Sequence, residues 1–397
     1  MKSMEFGKYP WEKQIFVKNV LIPEFSISIP LFMSRVKQVI VFNSVTKADI
    51  KTKDSYRLRK VHKTASHEFQ HWGDHISTVW GQKNLIYTYN AMNARILNDE
   101  AEFWRLNILW KHINQNKLLK YYTTINEKYQ GSTKCPWIAR LTCGLRFDHE
   151  GKLDQTKPIM FTRFMTQTGE EVCRAPFTVE SLLEVNAMAS EFLIDIGFFG
   201  EFSGEERLVE NRLLNDKCME WLYNPELSAY SIAAHTAANS LVYSDIIGAF
   251  FIARAISQVC LNMPECYFNQ LRIPKEYREI LLSRNEEFIK NRDRGYLYSV
   301  IFHNLHEAYK GKSIDPRDLE LDEVLEISNL PPLKEIKQKA KEELQLMREE
   351  IISGPLTEDL NDILDKGFEL FENRYLGNKT ESIIALLDKL KIVPTII

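Results

Sequence analysis

Residues 67 to 71 read His67-Glu68-Phe69-Gln70-His71. On a helix, a spacing of four residues brings both imidazoles to one face, where they can share one metal ion. The carboxylate one residue after the first histidine then flanks that ion without ligating it. This residue set points to zinc chemistry, with His67 and His71 as metal ligands and Glu68 as the base that takes a proton from water. His75 continues the row. Eight residues along a helix is about 12 Å, too far to share the ion, so His75 is expected behind the site or on the surface.

The motif needs a helix to present it. Leu58, Val61, Ala65, Phe69, Trp72, Ile76 and Val79 recur at spacings of three and four and mark one apolar stripe of a helix from about Tyr56 to Trp80. His67 and His71 lie opposite that stripe. A helix packed on one side and carrying two histidines on the other suits the floor of a cleft, and a solvated polar face would share the same pattern. The basic run from Lys51 to Lys63, with Arg57, Arg59 and Lys60, reads as a solvated face.

A third ligand must come from elsewhere, and two acidic clusters compete. The nearer is Asp99-Glu100-Ala101-Glu102, on a helix running to His112. The farther lies on a helix from Thr178 to Phe198, with Thr178 as N-cap after Pro176. There Glu180, Glu184, Glu191 and Asp195 share a narrow face, while Leu182, Leu183, Val185, Phe192 and Leu193 supply apolar surface. Glu184 and Glu100 are therefore both candidate ligands.

The rest of the chain bounds the fold. With 397 residues, 44% of them hydrophobic, it can bury a large core. Gln14–Ile22 and Val36–Ser44 are rich in β-branched and aromatic residues and read as strands before the motif helix; almost everything later reads as helix, and Pro136–Thr166 is less regular, with a hairpin or loops. The expected class is mainly α (α+β): a small N-terminal β-sheet followed by a helical domain, over residues 1–314. From Asp315 the character changes to acidic turns, Pro331-Pro332, and then Leu333, Ile336, Ala340, Leu344, Met347 and Ile351 at helical spacing. Residues 315–397 thus read as a helical carboxy-terminal appendage whose stripe packs on the parent domain.

A net charge of -3, from 51 basic and 54 acidic residues, gives no global attraction to nucleic acid or anionic membrane. The most apolar stretch, Ile246–Leu261, carries Arg254 and Gln258 and follows Asp245, so it reads as a buried helix and not as a membrane span. Six cysteines, from Cys135 onward, form no CxxC pair and are expected as reduced thiols. Residues 1–11 lack the apolar core of a signal peptide, and a cytoplasmic address is the default expectation.

Two zinc classes fit poorly. The metzincin pattern HExxHxxGxxH requires Gly and His where this chain has Asp74 and Ser77, and the deformylase pattern takes a cysteine ligand upstream of the motif, where this chain has none. By contrast His67-Glu68-Phe69-Gln70-His71-Trp72, continuing Ile76-Ser77-Thr78-Val79-Trp80-Gly81, resembles poorly characterised bacterial HExxH proteins with an HEYxHxxQ…ISTxxG stretch. Those proteins also have a later LESxAxxxE helix, which is similar to Leu183-Glu184-Val185-Asn186-Ala187 ending at Glu191. Their pattern in turn resembles the gluzincins, zinc peptidases with two histidines and a glutamate as ligands. The resemblance implies a zincin-like domain, Zn2+ as cofactor, Glu184 as third ligand and Glu191 as an acid behind it. It covers two short segments; Asp74 and His75 stand where the pattern has glutamine and aspartate, and the gap to Glu184 is longer than in thermolysin-like enzymes.

Zinc held by two neutral imidazoles and one carboxylate keeps a net positive charge and an open position, the condition under which a water molecule ionises near neutral pH. Peptide hydrolysis also needs a donor to the developing oxyanion, for which Tyr223, Tyr230 and His235 follow the ligand helix. The expected activity is that of an intracellular metallopeptidase acting on a specific protein or peptide, with a narrow cleft or an activating protein partner protecting its neighbours. A second reading is a helical scaffold or adaptor with a degenerate or structural metal site. A third applies the same chemistry to a non-peptide amide or ester.

Overall fold

In the computed structural model, residues 38–39, 55–104, 122–126, 128–129, 135–148, 150–200, 202–390 and 395–396 are described. The fold is mainly helical with one small four-stranded antiparallel sheet. The motif helix α1 (Ser55–Ser77) leads into α2 (Val79–Ile96). The expected single helix to Trp80 instead ends three residues earlier. Ser77 Oγ and Thr78 Oγ1 turn back to the Gly73 and Asp74 carbonyls at 2.6 Å each, and Thr78 then caps α2 by accepting from the Gly81 N–H. The crossing is so close that a Cβ on Gly81 would lie 2.2 Å from the His75 carbonyl oxygen, so only glycine fits there.

The described four-stranded sheet lies in the chain after the motif helix and before most of the other helices. Of the two expected early strands, Gln14–Ile22 lies outside the described residues, and within Val36–Ser44 only β1 (Gln38–Val39) is described. β1 pairs antiparallel with β6 (Thr395–Ile396), near the opposite end of the chain. The four-stranded sheet is built from β2 (Thr124–Ile125), β3 (Ile138–Phe147), β4 (Leu153–Met165) and β5 (Glu171–Pro176), in the order β2-β5-β4-β3. The segment Pro136–Thr166, read as less regular with a hairpin or loops, is a long hairpin. It turns at Asp148, whose Oδ1 accepts from the N–H groups of Glu150 and Lys152, with Gly151 at φ +81°.

β5 runs directly into α3 (Val179–Phe199), capped by Thr178 as the sequence indicates. Then come α4 (Gly204–Leu222), α5 (Ser228–Leu241), α6 (Ile246–Leu261), α7 (Lys275–Leu281), α8 (Arg284–Lys290) and α9 (Arg294–Ala308). Ile246–Leu261 is the buried helix read from the sequence, started by Asp245, whose carboxylate accepts from the Ile247 and Gly248 N–H groups. Among the described residues no single helix is long and apolar enough to cross a membrane; Pro225–Leu241 and Ile246–Leu261 together have the length and composition but are bent by 103°.

The last helices are α10 (Leu321–Ile327), α11 (Leu333–Leu346), α12 (Thr357–Asn373) and α13 (Ile383–Lys389). They do not stand apart. Ala65, Phe69, Trp72 and Ile76 of α1 form one apolar cluster with Ala340, Leu344, Leu360, Leu364 and Ile383. Here α12 crosses α1 backbone against backbone, because a Cβ on Gly367 would meet the Ile76 carbonyl oxygen at 1.9 Å. A larger cluster unites the inner face of the sheet with α3, α5, α6 and α9. The side chains of Leu58 and Val61, at the start of the expected stripe, lie outside the described residues; Ala65, Phe69, Trp72, Ile76 and Val79 are all buried. Ile336, Ala340, Leu344 and Met347 of the later stripe are buried as well.

Candidate metal centre

The polar face of α1 lies along α3, and Glu184, Glu191 and Asp195 of the acidic row of α3 meet it. His67 Nε2 and His71 Nε2 are 3.1 Å apart, and Glu184 Oε2 lies 3.5 Å from the first and 3.4 Å from the second. Ligand atoms about 2.0–2.1 Å from a tetrahedral zinc ion are separated by about 3.3 Å. The three atoms therefore form one face of a zinc-sized tetrahedron, and they are a group of donors among the described residues that could hold a metal ion. Glu184 is only 8% exposed, and its Oε2 is buried without a hydrogen-bond donor, since both histidine contacts are ion-pair separations without hydrogen-bond geometry. A buried carboxylate oxygen facing two ring nitrogens is what a cation would satisfy.

A second set of acids holds the first in place. Glu191 Oε1 lies 2.9 Å from His67 Nδ1 and accepts its proton, which in the neutral ring leaves the Nε2 lone pair to face the group. Lys63 pairs with Asp195 at 2.5 Å and lies 3.7 Å from Glu191, and Arg59 pairs with Glu210 at 2.7 Å. The basic run is thus not a solvated face where it meets α3 and α4: Lys63 is buried and Arg59 half-buried, each held by carboxylates. Lys60 is exposed as expected, and residues 51–54 lie outside the described residues. Without a metal, burial works against the His67 imidazolium, but Glu184 and Glu191 outweigh it and hold the pKa well above its ordinary value. Burial likewise disfavours the Glu184 carboxylate, and His71 and His67 more than reverse this, holding its pKa far below the usual range.

Glu68 is buried and lines a cleft of about 270 Å³ with Thr64, His67, Glu191 and Tyr230 and the apolar Met188, Trp221, Leu227 and Phe250; of the three candidate ligands, His67 lines it. Of the three donors considered from sequence, Tyr230 reaches this cleft, its ring 6.4 Å from that of His67. The Glu184 charge, followed by burial, pushes the Tyr230 phenol pKa up, so the group stays a hydrogen-bond donor at neutral pH. His235 and Tyr223 do not line the cleft. His235 is buried among Trp137, Phe164 and Tyr223, with Nε2 2.8 Å from the Leu222 carbonyl, and burial lowers its pKa to about 4.

Glu100 is exposed and belongs to no such group; the neighbouring Asp99 caps its own helical turn by accepting from the Glu102 N–H at 3.0 Å. The part of that helix expected beyond residue 104 lies outside the described residues. His75 is buried against Trp80 with Nδ1 2.8 Å from the His71 carbonyl, and takes no part in the donor set.

Sequence reasoning missed a second polar cluster on the same two helices. Asp74, fully buried, accepts from Gln70 on its own helix and from Asn186 of α3, both at 2.8 Å, and pairs with Arg374 at 2.8 Å. Arg254, also buried, donates to the Lys379 and Glu381 carbonyls; burial and then Arg374 lower its pKa to about 9. The one available signal was Arg254 inside the most apolar stretch of the chain. No known protein family, curated protein or solved structure matches this chain.

Proposed function

We propose that the protein is a zinc-dependent hydrolase, a metallopeptidase of gluzincin-like site chemistry that cleaves a protein or peptide. The single observation that carries this reading is the triangle of His67 Nε2, His71 Nε2 and Glu184 Oε2, with sides of 3.1, 3.4 and 3.5 Å, next to a cleft lined by His67 and the buried acid Glu68. With no cysteine or fourth protein donor in the group among the described residues, the donor set fits a catalytic site more closely than a structural one, which would fill its positions with protein ligands. Zinc bound there would supply a Lewis acid to polarise a carbonyl and a means of ionising water near neutral pH.

The other roles belong to the chain. Glu68 accepts the proton of the attacking water and passes it to the leaving amine. Glu191 keeps His67 in the tautomer that faces the donor set. Tyr230, held protonated, donates to the oxyanion as it develops. Met188, Trp221, Leu227 and Phe250 form an apolar wall that takes substrate surface out of water. Within this proposal residues 1–314 are a zincin-like domain, and residues 315–397 are a helical appendage that braces the motif helix from behind.

The test is zinc-dependent cleavage of an unbiased peptide library, with Glu68→Gln beside wild type. The amide keeps the shape of Glu68 and cannot take the proton, so the variant should keep its zinc and lose about 10²–10⁴-fold in turnover. Wild-type turnover by Glu68→Gln contradicts the proposal.

A further inference from the structure

The helices that carry the three candidate ligands are also joined by a second, fully buried polar cluster. Across the α1–α3 seam Ser190 Oγ donates to Gln70 Oε1 at 2.8 Å, Asn186 Nδ2 donates to Asp74 Oδ2 at 2.8 Å, and Ser66 Oγ donates to the Ser190 carbonyl at 3.2 Å. Gln70 lies between Glu68 and His71, Asn186 is two residues beyond Glu184, and Ser190 precedes Glu191. These contacts therefore fix the height and rotation of one ligand helix against the other.

The charge in this cluster comes from the far end of the chain. Arg374, which follows α12, is 6% exposed and donates to Asp74 Oδ1 at 2.8 Å across 300 residues of sequence. Arg254 of α6 reaches the Gln70 amide oxygen at 3.5 Å and is held by the Lys379 and Glu381 carbonyls at 3.3 and 2.6 Å. In the orientation its neighbours require, the Gln258 amide oxygen accepts from both guanidinium groups, at 3.2 Å from Arg254 and 3.1 Å from Arg374. Asp74 thus spends its two oxygens on one donor from each of three elements: α1, α3 and the segment after α12. A carboxylate with no access to water cannot lose its cationic partner without moving or taking up a proton.

We infer that Arg374 is a positioning residue for the candidate metal centre: acting through Asp74, it holds α1 and α3 in the register that brings His67, His71 and Glu184 together. The carboxy-terminal segment is then part of the site without touching it. This inference rests on the metal reading for its functional meaning, but its geometric content, the seating of α1 on α3, can be measured without metal.

The test compares Arg374→Met and Arg374→Lys with Val324→Ala, a core cavity on α10, whose helix packs on α9. Zinc affinity is read by chelator competition, ligand geometry by the visible spectrum of the cobalt(II) form, and helix seating by hydrogen exchange of the metal-free proteins. Arg374→Met should bind zinc at least tenfold more weakly, alter the cobalt spectrum, and speed exchange over residues 66–75 and 183–191. Arg374→Lys should recover part of each loss, and Val324→Ala should lower the melting temperature without any of the three effects. Unchanged exchange in those two segments in Arg374→Met, or the same pattern in Val324→Ala at equal loss of melting temperature, overturns the inference. If wild type binds neither metal, the metal reading fails, and the exchange comparison still decides whether Arg374 seats the two helices.

Discussion

The motif helix α1 meets the molecule through two faces of opposite chemistry. On the back, Ala65, Phe69, Trp72 and Ile76 pack against Ala340, Leu344, Leu364 and Ile383 in an apolar cluster. On the front, Lys63, His67 and His71 face Asp195, Glu191 and Glu184 of α3, with the donors aligned to within hydrogen-bonding or ion-pair distance. The back face is held by area removed from water, which tolerates many side-chain combinations of similar volume. The front is held by directed contacts between charged groups shielded from solvent, where each lost partner leaves another exposed to a low-dielectric surrounding. Stability and site chemistry are therefore carried by different sides of one helix, and substitutions should separate them.

The largest separation should come from the back. Leu344→Ala removes a fully buried side chain from the apolar cluster and should cost about 2–5 kcal/mol in chemical denaturation. Zinc content of the folded protein should be unchanged; a variant that loses zinc in step with stability would erase the distinction between the faces. Next is a test of His235, which the site reading leaves as packing. Its folded pKa of about 4 lies below its ordinary 6.5, so the unfolded chain takes up the proton first as pH falls. Its neutral form then contributes stability fully above pH 6.5, lost as pH falls toward about 4, by about 3 kcal/mol at most. His235→Phe should flatten that part of the stability profile while leaving zinc affinity intact, and a persistent slope of the same size would assign the titration elsewhere. The smallest effect belongs to the front: Glu191→Gln keeps a hydrogen-bond acceptor for His67 but removes its charge, and should weaken zinc binding about 10–100-fold by chelator competition. No change in affinity would detach Glu191 from the centre.

Much of the front face was legible in the sequence because helical periodicity carries it. The spacing of His67 and His71, the stripe from Ala65 to Val79 and the acid row from Glu180 to Asp195 are all one-dimensional patterns that a helix converts directly into faces. The choice between Glu184 and Glu100 was not, since both lie on helices and only the packing of α3 on α1 distinguishes them. The length of the β3–β4 hairpin was not legible for a different reason. β3 and the first residues of β4 carry Arg140, Thr142 and Lys157 and bury none of their side chains fully, while residues 158–162 of β4 are buried without a break, so the apolar alternation of a half-buried strand is weak there. Arg374 and Asp74 illustrate the limit most clearly: two unremarkable charges 300 residues apart, paired only once the last helices close over the first.

The most direct test is zinc content by elemental analysis of purified wild type, His71→Ala and Glu184→Ala, with no metal added. The account predicts about one zinc per wild-type chain and loss of it in both variants, because each removes one corner of the donor triangle. Zinc-free wild type, or zinc retained in full by Glu184→Ala, would contradict it.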